Sequence, residues 1–104
     1  MKVIKVTYTA MPDFVAQNQL NIKNVMNDLQ QLNNAGIFYH ACLSPDDKTF
    51  THTAFFKSEE EHKVLNDLPS FKHFQEQLKS AGFEVPPKQE LLTLVGSSRN
   101  IFNQ

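Results

Sequence analysis

A chain of 104 residues is the length of one domain, long enough to remove about two thirds of its unfolded surface from water without disulfides or metal. Ten Lys and Arg balance eleven Asp and Glu, so no global field draws nucleic acid or an anionic membrane, and a small neutral partner or a second copy of the chain fits better. The single Cys42 cannot form an internal bridge, and Met1-Lys2-Val3-Ile4-Lys5-Val6 lacks the long apolar run of a signal peptide or membrane span; the expectation is a cytoplasmic protein.

Residues 2 to 10 alternate around Ile4, Val6 and Tyr8 and predict a first strand. Pro12-Asp13 turns the chain, and Asp13 is placed to cap a helix running to about Asn34. Val15, Ile22, Val25, Met26, Leu29 and Leu32 form its apolar stripe, Asn18 lies on that stripe, and Gly36 follows its end. Residues 37 to 43 and 49 to 57 read as strands joined by Ser44-Pro45-Asp46-Asp47-Lys48, a hairpin. Ser58 with Glu61 makes a capping box for a second helix, with Glu59, Glu60 and Glu61 as solvated charge at its start. Pro69 opens a further helix ending near Gly82, with Phe71, Phe74 and Leu78 buried and Gln75 beside them. Pro86-Pro87 then reads as an extended connection into a last strand, about Glu90 to Val95, followed by a tail from Gly96 that is polar apart from Ile101 and Phe102.

This order of strand, helix, strand, strand, helix, strand is the ferredoxin-like α+β plan, a four-stranded antiparallel sheet with helices on one face. Both parities of the strands carry apolar residues: Ile37, Tyr39 and Leu43 oppose Phe38 and Cys42, and Phe55 opposes Phe50 and Phe56. Helices bury only one face, so a homodimer with two sheets packed face to face is expected; the alternative is a monomer whose tail folds over the sheet.

Five segments taken together resemble the small stand-alone members of the antibiotic biosynthesis monooxygenase family. They are Val6-Thr7-Tyr8-Thr9 before Pro12, Asn18, Thr49-Phe50-Thr51-His52, Leu68-Pro69-Ser70-Phe71-Lys72-His73-Phe74-Gln75, and the stretch from Glu90-Leu91 to Ser98-Arg99. The resemblance covers nearly the whole chain and implies the dimeric α/β-barrel fold. It further implies kinship with cofactor-free oxygenases, alongside haem-degrading enzymes, isomerases and members without known activity. The oxygenases resemble one another in using an asparagine with a tryptophan and often a histidine on the second helix. Asn18 matches the asparagine; the chain has no Trp, and the helix histidine position falls at or near Leu65.

The residues also speak for themselves. His52 shares a strand face with Phe50, Ala54 and Phe56, so it is the candidate base that takes a proton from a phenol or enol before oxygen attacks the carbanion. The competing reading is a core histidine satisfied by a backbone or hydroxyl partner. Asn18 is placed to orient a carbonyl or oxyanion, or else bonds local backbone. Phe50, Phe56, Phe71 and Phe74 are expected as pocket walls, Gln75 as a polar guide, Tyr39 as a hydroxyl donor or packing group, and His62 at the pocket mouth; His73 faces solvent. If the hairpin sets His40 directly across from His52, then His40, Cys42 and His52 gather as metal ligands, and a shift of one residue separates them. No fourth ligand is evident, so no metal site is expected, and the resemblance to cofactor-free oxygenases implies no cofactor. The third strand lacks the glycine-containing basic motif of RNA-recognition domains, and no phosphate loop or Ser-His-Asp spacing is present. Two functions remain: a cofactor-independent monooxygenase-like enzyme of small aromatic or quinol-type compounds, or a non-catalytic homodimer that binds a small apolar ligand or serves a structural role.

Overall fold

The computed structural model describes residues 1–102. Strand β1 (Lys2–Ala10) leads through a 3-10 turn at Pro12–Phe14 into helix α1 (Val15–Leu32). The hairpin β2 (Ile37–Leu43) and β3 (Thr49–Phe56) follows, then helices α2 (Glu59–Asp67) and α3 (Pro69–Ala81), and strand β4 (Phe83–Leu92). The sheet order is β2-β3-β1-β4 and every pairing is antiparallel. This is the ferredoxin-like α+β fold, and the core lies between the sheet and the helices. Ile4, Tyr8, Phe50, Ala54 and Phe56 from the strands meet Val25, Leu65, Phe71, Phe74 and Leu78 from the helices. None of the helices is long and apolar enough to cross a membrane, among the described residues.

Several local expectations are corrected. Asp13 lies inside the 3-10 turn, and α1 has no side-chain cap. The helix ends at Leu32, which is exposed, and the left-handed residue closing it is Asn33 (φ 52°), whose N–H donates to the Leu29 carbonyl. Asparagine tolerates that conformation. Gly36 serves close packing instead, since a Cβ there would stand 2.8 Å from the Glu61 side chain. At Ser58 the hydroxyl donates to the Glu61 carboxylate, holding that carboxyl below its usual range.

The largest correction is at β4. Pro86-Pro87 lies inside the strand, not in a connection before it, and Val95 lies beyond it, 99% exposed. The pairing with β1 sets Thr7 across from Lys88 and Thr9 across from Val85, so both prolines fall opposite Tyr8. Two residues facing one is a bulge, and β4 is an edge strand, the two settings in which a sheet accepts proline.

The hairpin register decides another open point. Ala41 faces His52, and His40 faces Thr53. His40 and Cys42 therefore point to the outer face of the sheet while His52 points to the helices, because a shift of one residue reverses the side of every side chain. Three His, Cys, Asp or Glu residues do not come together in metal-binding reach anywhere among the described residues.

Candidate functional site

His52 stands at the centre of the inner face with 5% of its surface exposed. Strand alternation puts it on the side of Phe50, Ala54 and Phe56, and cross-strand pairing sets it between Val6 and Ala41. Both ring nitrogens are engaged. Tyr8 Oη lies 2.8 Å from Nε2 and Tyr39 Oη lies 2.6 Å from Nδ1. Behind Tyr8, the Asn18 Nδ2 donates to the same Oη at 2.8 Å. Tyr39, His52, Tyr8 and Asn18 thus form one hydrogen-bonded chain, reaching from strand β2 across β3 and β1 to α1.

Aromatic packing fixes the rings. His52 stacks on Tyr8 at 5.3 Å between ring centres, with Phe74 at 5.5 Å on another side. Tyr8 stacks on Phe50 at 5.5 Å and takes Phe83 edge-on at 5.7 Å. Such contacts favour offset and edge geometries. Burial dominates the electrostatics: it holds the His52 pKa down at about 4, and it raises the Tyr8 and Tyr39 hydroxyls well above the usual phenol range. At neutral pH all three rings are uncharged, so the chain stores directional hydrogen bonds rather than charge.

A cavity of about 360 Å³ opens over this chain. The sheet contributes Val6, Tyr8, Tyr39 and His52 to its floor, and α3 contributes Phe71, Phe74, Gln75, Leu78 and Lys79. Phe83, Pro87 and Gln89 of β4 close the side, the bulge having turned Pro87 toward Tyr8. Lys79 is the only charged side chain in this lining, among the described residues. A smaller space of about 130 Å³ adjoins it and shares Val6, Tyr39, His52, Phe71, Gln75 and Gln89.

The structure brings most of the expected residues together, and separates some. His52, Tyr39, Phe71, Phe74 and Gln75 line the main cavity, Gln75 from an exposed position on α3. Phe56 and His62 line the smaller space, their rings stacked at 4.6 Å, and Lys2 Nζ lies 3.1 Å from His62 Nδ1. Phe50 is core packing behind Tyr8, exposed by 2%, and does not line the cavity. His40 is on the opposite face of the sheet, exposed, its ring against Phe38. Asn18 bonds neither local backbone nor the cavity; it reaches Tyr8. Tyr8 is the residue that sequence reasoning passed over, although its parity with Ile4 and Val6 marks it as inward-facing once β1 is known to lie beside β3.

No family model matches this sequence, and no curated protein does. Solved structures do. A protein of Bacteriodes thetaiotaomicron described as an antibiotic biosynthesis monooxygenase superposes with a TM-score of 0.78 at 16% identity, over 95% of this chain and 93% of that one. Another antibiotic biosynthesis monooxygenase gives 0.77 at 8% identity, over 92% of this chain and all of the other. A mutant of SnoaB, a cofactor-independent oxygenase from Streptomyces nogalater, gives 0.68 at 13% identity, over 95% and 98% of the two chains. At these identities the likeness is one of fold. The chain has the ferredoxin-like α+β fold of the antibiotic biosynthesis monooxygenase structures, along nearly its whole length.

Proposed function

We propose that this chain is a cofactor-independent monooxygenase-like protein that binds a small aromatic or quinol-type compound between sheet and α3, with the ligand's oxygen against Tyr39. The observation that carries this reading is the hydrogen-bonded chain Tyr39, His52, Tyr8, Asn18 beneath a cavity whose walls include Phe71, Phe74, Leu78 and Phe83. The volume, about 360 Å³, falls at the small end of the usual range for ligand sites, roughly 300 to 1,000 Å³. Because His52 has both nitrogens engaged, its action as a base runs through Tyr39: the ligand's hydroxyl proton passes to Tyr39 Oη while the proton already on Tyr39 passes to His52 Nδ1. The imidazolium so formed has no carboxylate beside it among the described residues, and the ligand anion is its counter-charge. Lys79 at the lining adds attraction for an anion. An ionised phenol or enol is the electron-rich species that oxygen attacks without a cofactor. The likeness in fold to SnoaB supports this class of chemistry.

Oxygen uptake tests it. With a reduced polycyclic aromatic or quinol that binds, wild type should consume oxygen, and both His52→Ala and Tyr39→Phe should lose turnover while staying folded; activity that survives Tyr39→Phe sinks the assignment. One observation favours a second reading: the two hydroxyls satisfy His52 fully, and its pKa of about 4 makes it a weak base. A non-catalytic binder would show thermal stabilisation by such compounds and no oxygen uptake with any of them.

We also propose that the protein is a cytoplasmic homodimer, two sheets meeting through the outer faces. Phe38, Phe55, Val3 and Leu92 lie side by side across that face, with Phe38 48% and Leu92 42% exposed and Val3 buried between them. Light scattering that finds a single 11.9 kDa species at micromolar concentration would remove the dimer.

A further inference from the structure

Asn18 holds an atom of the hydrogen-bonded chain that nothing answers. The residue is fully buried, its Nδ2 donates to Tyr8 Oη at 2.8 Å, and its Oδ1 has no partner among the described residues. Proton counting then gives the chain a direction. With the Asn18 N–H on the Tyr8 oxygen, the Tyr8 proton needs an acceptor, and His52 Nε2 at 2.8 Å is the one within reach. A neutral imidazole whose Nε2 accepts carries its hydrogen on Nδ1. Nδ1–H therefore donates to Tyr39 Oη at 2.6 Å, and the Tyr39 proton is left unused by the chain, on a residue that lines the cavity.

Turning the Asn18 amide over reverses every bond. Tyr8 then donates to Oδ1, His52 Nε2–H donates to Tyr8, and Tyr39 donates to Nδ1, so the Tyr39 oxygen meets the cavity as an acceptor. The reversed state leaves both hydrogens of the amide NH2 group without acceptors, where the observed one leaves one of them and the carbonyl oxygen. Unanswered buried donors are the rarer defect, so the observed direction is the resting one.

We propose that Asn18 is a positioning residue which, acting through Tyr8 and His52, sets whether Tyr39 donates to a ligand or accepts from it. In the resting direction the site takes a ligand with an acceptor oxygen: a carbonyl, or a phenol or enol already ionised. Proton uptake by His52 requires the reversed direction, so the amide turns over when the ligand arrives protonated. The Lys79 ammonium in the same lining suits an ionised ligand.

The inference rests on the reading that Tyr39 meets a ligand, yet its first test needs none. Long-range proton–nitrogen NMR of uniformly nitrogen-labelled protein reports which ring nitrogen of His52 bears the hydrogen. Wild type should show Nδ1–H. Asn18→Asp, of the same shape but acceptor-only once ionised, should show Nε2–H at alkaline pH, while Asn18→Leu, which offers no acceptor, should keep Nδ1–H. Nε2–H in wild type, or an unchanged tautomer in ionised Asn18→Asp, overturns the proposal; if Asn18→Asp does not fold, the wild-type spectrum decides. The second arm uses para-nitrophenol, whose two ionisation states differ in colour. Wild type should bind the phenolate and lower the midpoint of its colour change, Asn18→Asp should bind the phenol and raise it, and Tyr39→Phe should do neither. Equal shifts in wild type and Asn18→Asp count against the proposal. Failure of para-nitrophenol to bind would weigh against the aromatic-ligand reading and leave the tautomer assignment to the NMR.

Discussion

The two faces of the sheet use the same strands for different ends. On the inner face Tyr8, Phe50 and Phe56 are 1–2% exposed, and the polar His52 is answered within the fold by two tyrosines. On the outer face the row Phe38, Phe55, Val3, Leu92 sits beside a polar field in which Thr7 faces Thr51 and Thr9 Oγ1 bonds Thr49 Oγ1 at 2.9 Å. Side chains one residue apart differ this much because successive positions point to opposite sides. The contrast teaches that most of the buried apolar side chains lie on one face, while the other leaves Phe38 and Leu92 partly open to solvent.

The sharpest way to break that comparison is to truncate one ring on each face. Phe56→Ala, at 1% exposure, should cost about 3–5 kcal/mol in urea unfolding; a loss below about 1 kcal/mol would deny that the inner face carries the fold. The next effect in size comes from pH. His52 titrates at about 4 in the folded chain against an ordinary 6.5, so between those values the unfolded chain binds more protons. Its contribution is complete above about 6.5 and is lost as pH falls through 4, up to about 3 kcal/mol. Subtracting the pH–stability curve of His52→Leu from that of wild type should reveal this segment, and parallel curves would refute it. The smallest effect on folding belongs to the outer face. Phe38→Ser should alter monomer unfolding by no more than about 0.5 kcal/mol yet abolish the dependence of melting on protein concentration that a dimer confers. A large loss of monomer stability would make Phe38 a core residue after all.

What the sequence made legible was local. The β1 alternation, the hairpin strands and Pro69 at the first turn of α3 all follow from patterns within a few residues. What escaped depends on partners far along the chain. Tyr8 and His52 are 44 positions apart, so their bond is visible only once strand order is known. The hairpin register turned on one residue, which the turn formers alone left open, and it moved His40 to the far face. Pro86-Pro87 read as a break because proline cannot donate within a sheet, and only its place at an edge bulge explains a strand there. The α1 stripe was read one turn too long because Leu32 fits the period, although beyond Leu29 the helix has nothing left to cover.

Those two prolines have a consequence for how this molecule behaves in a crowded solution. An unpaired outer strand is a template on which other chains extend a sheet, and such growth is the route to fibrils. On β4 two prolines remove amide hydrogens and the bulge bends the strand, so a strand docking there would find its ladder interrupted midway. Open-ended growth is obstructed along this border.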